Sequence, residues 1–146
     1  MTVAQGNSLL LSSFVCPALF TARARAARGV PTWLYRFAAD WENTRLYPMN
    51  GAYHGVEMHM LFGNSREVSG RESAVSQDKL AEEMQDAWAA FARDPVMGLG
   101  EHGWPAFTAK EENLIDLGYE NSPEPKFMRL DGEGTECQGV VLGGDQ

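Results

Sequence analysis

Apolar positions between residues 76 and 93 recur at spacings of three and four. Leu80, Met84, Ala87, Trp88 and Phe91 form one stripe, and Asp78, Glu82, Glu83 and Asp86 fall mostly on the other side. That period predicts an amphipathic helix. Ser76 is placed to cap its start, Asp78 lies in the positive first turn, and Asp94-Pro95 ends it. A second helix is predicted over 14–28. Pro17 sits in its first turn, Gly29 stops it, and Arg23, Arg25 and Arg28 form a solvated side near its negative end. The run V-P-T-W-L-Y-R-F-A at 30–38 is rich in aromatic and β-branched residues and predicts a strand. Trp33, Tyr35 and Phe37 alternate with Thr32, Leu34 and Arg36. Leu34 interrupts the polar side, which predicts partial cover on both faces, as in a layered α/β sheet.

The remaining segments are less regular. Residues 40–52 read as a loop, 56–62 as a short helical turn, 64–73 as a polar loop and 103–108 as an extended loop. N-L-I-D-L at 113–117 reads as a short strand. From Glu120 onward proline, glycine and acidic residues dominate, which predicts an irregular tail. The organisation expected is one incomplete domain over 1–119 and a tail over 120–146. One good strand cannot satisfy its own backbone groups, and two helices with such apolar faces need more to cover. The pattern therefore reads as a piece of a larger α/β fold.

With 146 residues and 44% hydrophobic content the chain suits one ordinary domain. A formal charge of −8 argues against a nucleic-acid partner, which needs a basic stripe. His54, His59, His102, Cys16 and Cys137 provide no zinc-ligand spacing, and no metal or other cofactor is expected. No apolar run reaches membrane-spanning length. Residues 8–20 are apolar enough for a signal-peptide core, and Ala22-Arg23-Ala24 resembles a cleavage site. The lack of Lys or Arg before residue 9 and the arginines on both sides of Ala24 favour a core helix.

The stretch G-A-Y-H-G-V-E-M-H-M-L-F-G, residues 51–63, sets His54 among small residues. By itself this is an exposed loop histidine. It is preceded by F-V-C-P before a helix and V-P-T-W-L-Y-R-F on a strand. It is followed by M-Q-D-A-W-A-A-F-A-R-D-P, G-W-P-A-F and L-I-D-L-G. In that order, from about residue 14 to 117, these blocks resemble the C-terminal part of the type B carboxylesterases, the α/β-hydrolase family that includes cholinesterases. The resemblance implies an α/β-hydrolase fold and a serine esterase acting on small carboxylic esters. It implies that His54 is the base of a Ser-His-acid triad.

It also suggests Glu57 as a buried carboxylate behind that histidine; a glutamate favoured by a helix N-terminus is an equal reading. Met49, Asn50 and Tyr53 are candidates for the substrate-gorge wall, with loop packing as the competitor. A disulfide between Cys16 and Cys137 is implied if the chain is secreted; in a reducing cytoplasm both stay free. The compartment follows from whether a longer parent carries a signal peptide.

In this family the order is serine, acid, histidine, with the serine in G-x-S-x-G. No such match occurs in the 146 residues. Gly70-Arg71-Glu72-Ser73-Ala74 resembles the family's G-E-S-A-G, but it has an extra residue, no closing glycine and a position after the histidine. The expectation is a segment that carries the histidine while the serine, oxyanion glycines and acid come from a missing N-terminal part. The competing reading is a noncatalytic remnant or binding module. His59 and His102 read as packing and loop residues.

Overall fold

The structure, a computed structural model, describes residues 11–48, 50–130 and Cys137. The chain divides into two compact units. The first comprises Met1–Leu34, Ala106–Leu114 and Arg129–Gln146; the second comprises Tyr35–Pro105 and Ile115–Met128.

The first unit is organised by helix α1, Cys16–Ala26, which a π-helical turn at Leu11–Val15 precedes. Proline lies in its opening positions, where no helical N–H partner is lost. Cys16, Leu19 and Ala22 face inward and pack with Phe107 and Cys137. Cys16 and Cys137 are joined in a disulfide. Arg23 departs from the solvated role expected of it. Its guanidinium forms a two-pronged pair with Glu112, both contacts at 2.6 Å. That pairing holds the Arg23 pKa above its ordinary value.

The 30–38 run forms a shorter strand than its composition predicts. Pro31 has no N–H to give, and the Thr32 carbonyl accepts from the Phe107 N–H at 2.8 Å. Strand β1 is Tyr35–Phe37, strand β2 is Asn113–Leu117 and strand β3 is Lys126–Arg129, in the sheet order β1-β2-β3. β1 and β2 run parallel, with Tyr35 opposite Ile115, Arg36 opposite Asp116 and Phe37 opposite Leu117. The Asp116 carboxylate is wholly buried and takes Arg36 Nη2 at 2.7 Å and Nε at 3.3 Å. Leaving a buried carboxylate unpaired costs about 3–5 kcal/mol, so this pair helps to fix the register. β3 lies within the tail that begins at Glu120; four residues are too few for their alternation to stand out.

In the second unit the helices are α2 (Met58–Leu61), α3 (Ser65–Ser69), α4 (Val75–Arg93) and α5 (Gly98–Glu101). Helix α3 replaces part of the loop expected at 64–73, and Gly70, with φ +65°, closes it in the left-handed region. Helix α4 begins one residue before Ser76. Its N-cap position is Ala74, whose N–H is accepted by Gln77 Oε1 at 3.4 Å. Its buried face is Gln77, Leu80, Met84, Ala87 and Ala90. Trp88 is half-buried, and Phe91, placed on the stripe by sequence, is 44% exposed. Gly98 packs against Ala90, where a Cβ would stand 2.3 Å from the Ala90 carbonyl oxygen. Only a glycine lets α5 approach α4 so closely. Gly98→Ala is therefore expected to cost about 1–3 kcal/mol or more. Urea unfolding checks this, and an unchanged midpoint would contradict the contact.

Candidate active site

His54 is exposed, on a turn whose backbone is fixed by two overlapping hydrogen bonds. The Val56 N–H donates to the Tyr53 carbonyl at 3.1 Å, and the Met58 N–H to the Gly55 carbonyl at 3.2 Å. Gly51 and Gly55 take φ of +61° and +83°, so the turn needs left-handed backbone on both sides of the histidine. Helix α2 begins immediately afterwards. Buried Met60 anchors it, and its Met60 carbonyl accepts from Gln85 Nε2 on α4 at 2.9 Å.

Glu57 occupies the N-cap position of α2 and is half-buried. The Tyr35 hydroxyl donates to Glu57 Oε1 at 3.3 Å. The Tyr35 ring meets Trp88 edge-on, with centroids 5.0 Å apart. Trp88 in turn stands edge-on to Trp104 at 6.0 Å. β1, the histidine turn and α4 thus meet at one aromatic cluster. In the sequence Tyr35 belongs to a strand face and has no visible part in the site. Its partner Glu57 lies 22 residues away, a separation that local periodicity cannot register.

Tyr35 is 39% exposed as a whole, and desolvation of its hydroxyl first, then the Glu57 charge and hydrogen bond, push that hydroxyl up to about 12. An unfolded tyrosine titrates near ~10. The folded state therefore retains the proton over that interval while the unfolded state loses it. The resulting contribution to stability is present below about pH 10 and is lost as pH rises toward 12. Tyr35→Phe should flatten this part of the stability profile. Urea unfolding between about pH 9 and 11.5 tests it, and parallel profiles for the two proteins would contradict it.

The other candidates are placed as follows. Met49 lies outside the described residues. Asn50 is half-buried, and both atoms of its side-chain amide are enclosed without a partner among the described residues. The Tyr53 hydroxyl donates to the Thr44 carbonyl at 3.2 Å. His59 lines a cavity of about 360 Å³ with Asn43, Tyr53, Ser65 and Arg71 among its walls. His102 Nε2 lies 3.0 Å from Glu83 Oε1, which also accepts from the Trp104 indole N–H at 2.9 Å. Glu83, read from the sequence as part of a polar face, ties α4 to the segment after α5. Among the described residues no group of three or more His, Cys, Asp or Glu could hold a metal ion. No helix among them is long and apolar enough to cross a membrane.

Comparison with known proteins adds to this geometry. Residues 6–135 match the model of the carboxylesterase family. Secreted lipase 5 of Gibberella zeae is 35% identical over 114 residues, covering 77% of this chain and 21% of that protein. Para-nitrobenzyl esterase of Bacillus subtilis is 33% identical over 101 residues, covering 64% of this chain and 20% of that protein. Among solved structures, a PNB esterase superposes with a TM-score of 0.74 at 23% identity, over 96% of this chain and 28% of that one. The chain thus spans about a fifth of the length of these two curated relatives.

Proposed function

The chain belongs to the carboxylesterase family, and from that premise we propose that it supplies the general-base histidine, His54, of a serine ester hydrolase. The observation that carries the reading is the turn itself. His54 is exposed at a hydrogen-bonded, glycine-flanked bend, within a stretch that falls inside the family match. An imidazole held in this way can exchange a proton with a nucleophile brought against it.

In the proposed reaction His54 accepts the hydroxyl proton of a serine as its oxygen attacks the ester carbonyl. The tetrahedral intermediate collapses as the imidazolium gives that proton to the departing alcohol. His54 then takes a proton from water, which attacks the acyl-enzyme, and returns it to the serine as the carboxylic acid leaves. No G-x-S-x-G occurs in these 146 residues, so the serine, the oxyanion donors and the acid are assigned to polypeptide outside them. The substrates proposed are small carboxylic esters. The site needs no metal, because proton transfer and oxyanion stabilisation supply the chemistry. Asn50 and Tyr53 are proposed as part of the substrate-gorge wall.

The test is a hybrid enzyme in which this chain replaces the matching segment of the Bacillus para-nitrobenzyl esterase. The isolated chain is expected to give no turnover of an activated aryl ester, and the hybrid to give turnover that a serine-directed phosphonate abolishes. An isolated chain that turns over the ester, with phosphonate-sensitive kinetics, would remove the division of the triad. A folded hybrid without activity would favour the noncatalytic reading.

A further inference from the structure

We infer that Tyr35 is a positioning residue for His54, acting through Glu57, so that strand β1 sets the geometry of the catalytic turn. This rests on the role proposed for His54. The Tyr35 hydroxyl donates to Glu57 Oε1 at 3.3 Å, and Glu57 closes the turn that starts at His54. Both the Met60 and Leu61 N–H groups donate to the Glu57 carbonyl at 3.0 Å. Glu57 therefore fixes the first turn of α2 through its backbone and reaches β1 through its side chain. Tyr35 is itself held from two directions. Its backbone lies in register with Ile115, and its ring stands edge-on to Trp88. A ring seated on a strand and a helix gives the turn a rigid point of attachment, whereas the turn's own glycines leave it free to adopt other backbone conformations. A displacement of about 1 Å at a catalytic group can cost roughly 100-fold in rate, so a single well-seated hydroxyl has leverage over turnover.

Two measurements test this. In the full chain, amide hydrogen exchange is followed at Val56 and Met58, the two donors that close the turn. Tyr35→Phe and Glu57→Ala should each speed exchange there by about tenfold, the loss of one hydrogen bond, while amides along α4 keep their protection. Glu57→Gln, which retains an acceptor oxygen, should preserve most of the protection at Val56 and Met58. In the hybrid enzyme, Tyr35→Phe should lower kcat about tenfold with little change in KM. Unchanged exchange at Val56 and Met58 would overturn the inference. So would uniform loss of protection across α4, which would make Tyr35 a general packing residue. Failure of the underlying reading looks different: His54→Ala would leave the hybrid active whatever the exchange data show.

Discussion

Reducing the Cys16–Cys137 disulfide should lower the free energy of unfolding by roughly 5 kcal/mol, the largest single stability effect expected in the chain. The two cysteines are 121 residues apart. In the chain-entropy treatment, closing a loop of that length restricts the unfolded ensemble by about 4–5 kcal/mol. The bond also has a packing consequence. Cys16 is fully buried and sits in one cluster with Leu19, Ala22 and Phe107, so reduction leaves two thiols in an apolar core. A whole domain commonly has only about 5–15 kcal/mol of net stability, and loss of this link consumes a large part of it. The check is urea unfolding of protein made in an oxidising compartment, with and without reductant, alongside thiol titration. The expected result is no free thiol before reduction and a much lower midpoint after it. An unchanged midpoint after both thiols have become titratable would contradict the estimate.

The elements readable in the sequence were those with a strong local signal. The stripe of Leu80, Met84 and Ala87 placed the long helix, and N-L-I-D-L placed β2 at Asn113–Leu117. The α/β class followed from the two-sided pattern of the aromatic strand and from the family resemblance, and the solved esterase structures share that fold. What failed to register depends on contacts between distant residues or on steric detail. Phe91 lies outside the buried face, and Ala90 is buried where Gly98 approaches it, a contact invisible to a helical period. Arg23 belonged by spacing to a solvated face until Glu112, 89 residues later, came beside it. Helix α3 is five residues long, too short for periodicity, and reads in sequence as a polar loop. The 30–38 run has strand composition throughout, yet only Tyr35, Arg36 and Phe37 stand in register with β2, and beyond them the Ala38 N–H donates to the Leu117 carbonyl at 2.8 Å. Composition reports preference, whereas pairing needs a neighbour.

At the candidate site the balance is similar. The small residues around His54 read as a loop, but the positive φ that both Gly51 and Gly55 adopt was not legible in the pattern. The pairing of Cys16 with Cys137 had no basis in spacing and came only with the family resemblance. Tyr35 and Glu83 were missed because each acts through a residue remote in sequence. Tyr35 reaches Glu57 across 22 positions and Glu83 reaches Trp104 across 21. The hydrophobic pattern records which face of an element is apolar. It carries no record of which polar group the exposed edge of that face will meet.

Substituting His54 by alanine in the hybrid enzyme should reduce ester hydrolysis by roughly ten-thousand-fold or more, the scale on which serine hydrolases lose activity without their base. Without an imidazole nothing nearby accepts the serine proton as the tetrahedral intermediate forms, and nothing returns it to the leaving alcohol. His59 and His102 provide the internal comparison. His59 lines the cavity formed with α3, and His102 is paired with Glu83. Their replacement should alter stability more than turnover. The decisive measurement is kcat/KM for an activated aryl ester in three hybrids, His54→Ala, His59→Ala and His102→Ala, each shown to be folded. The expected result is near-complete loss for His54→Ala, with the other two within about tenfold of the parent hybrid. Retained activity in His54→Ala, or equal losses in all three, would contradict the assignment of His54 as the base.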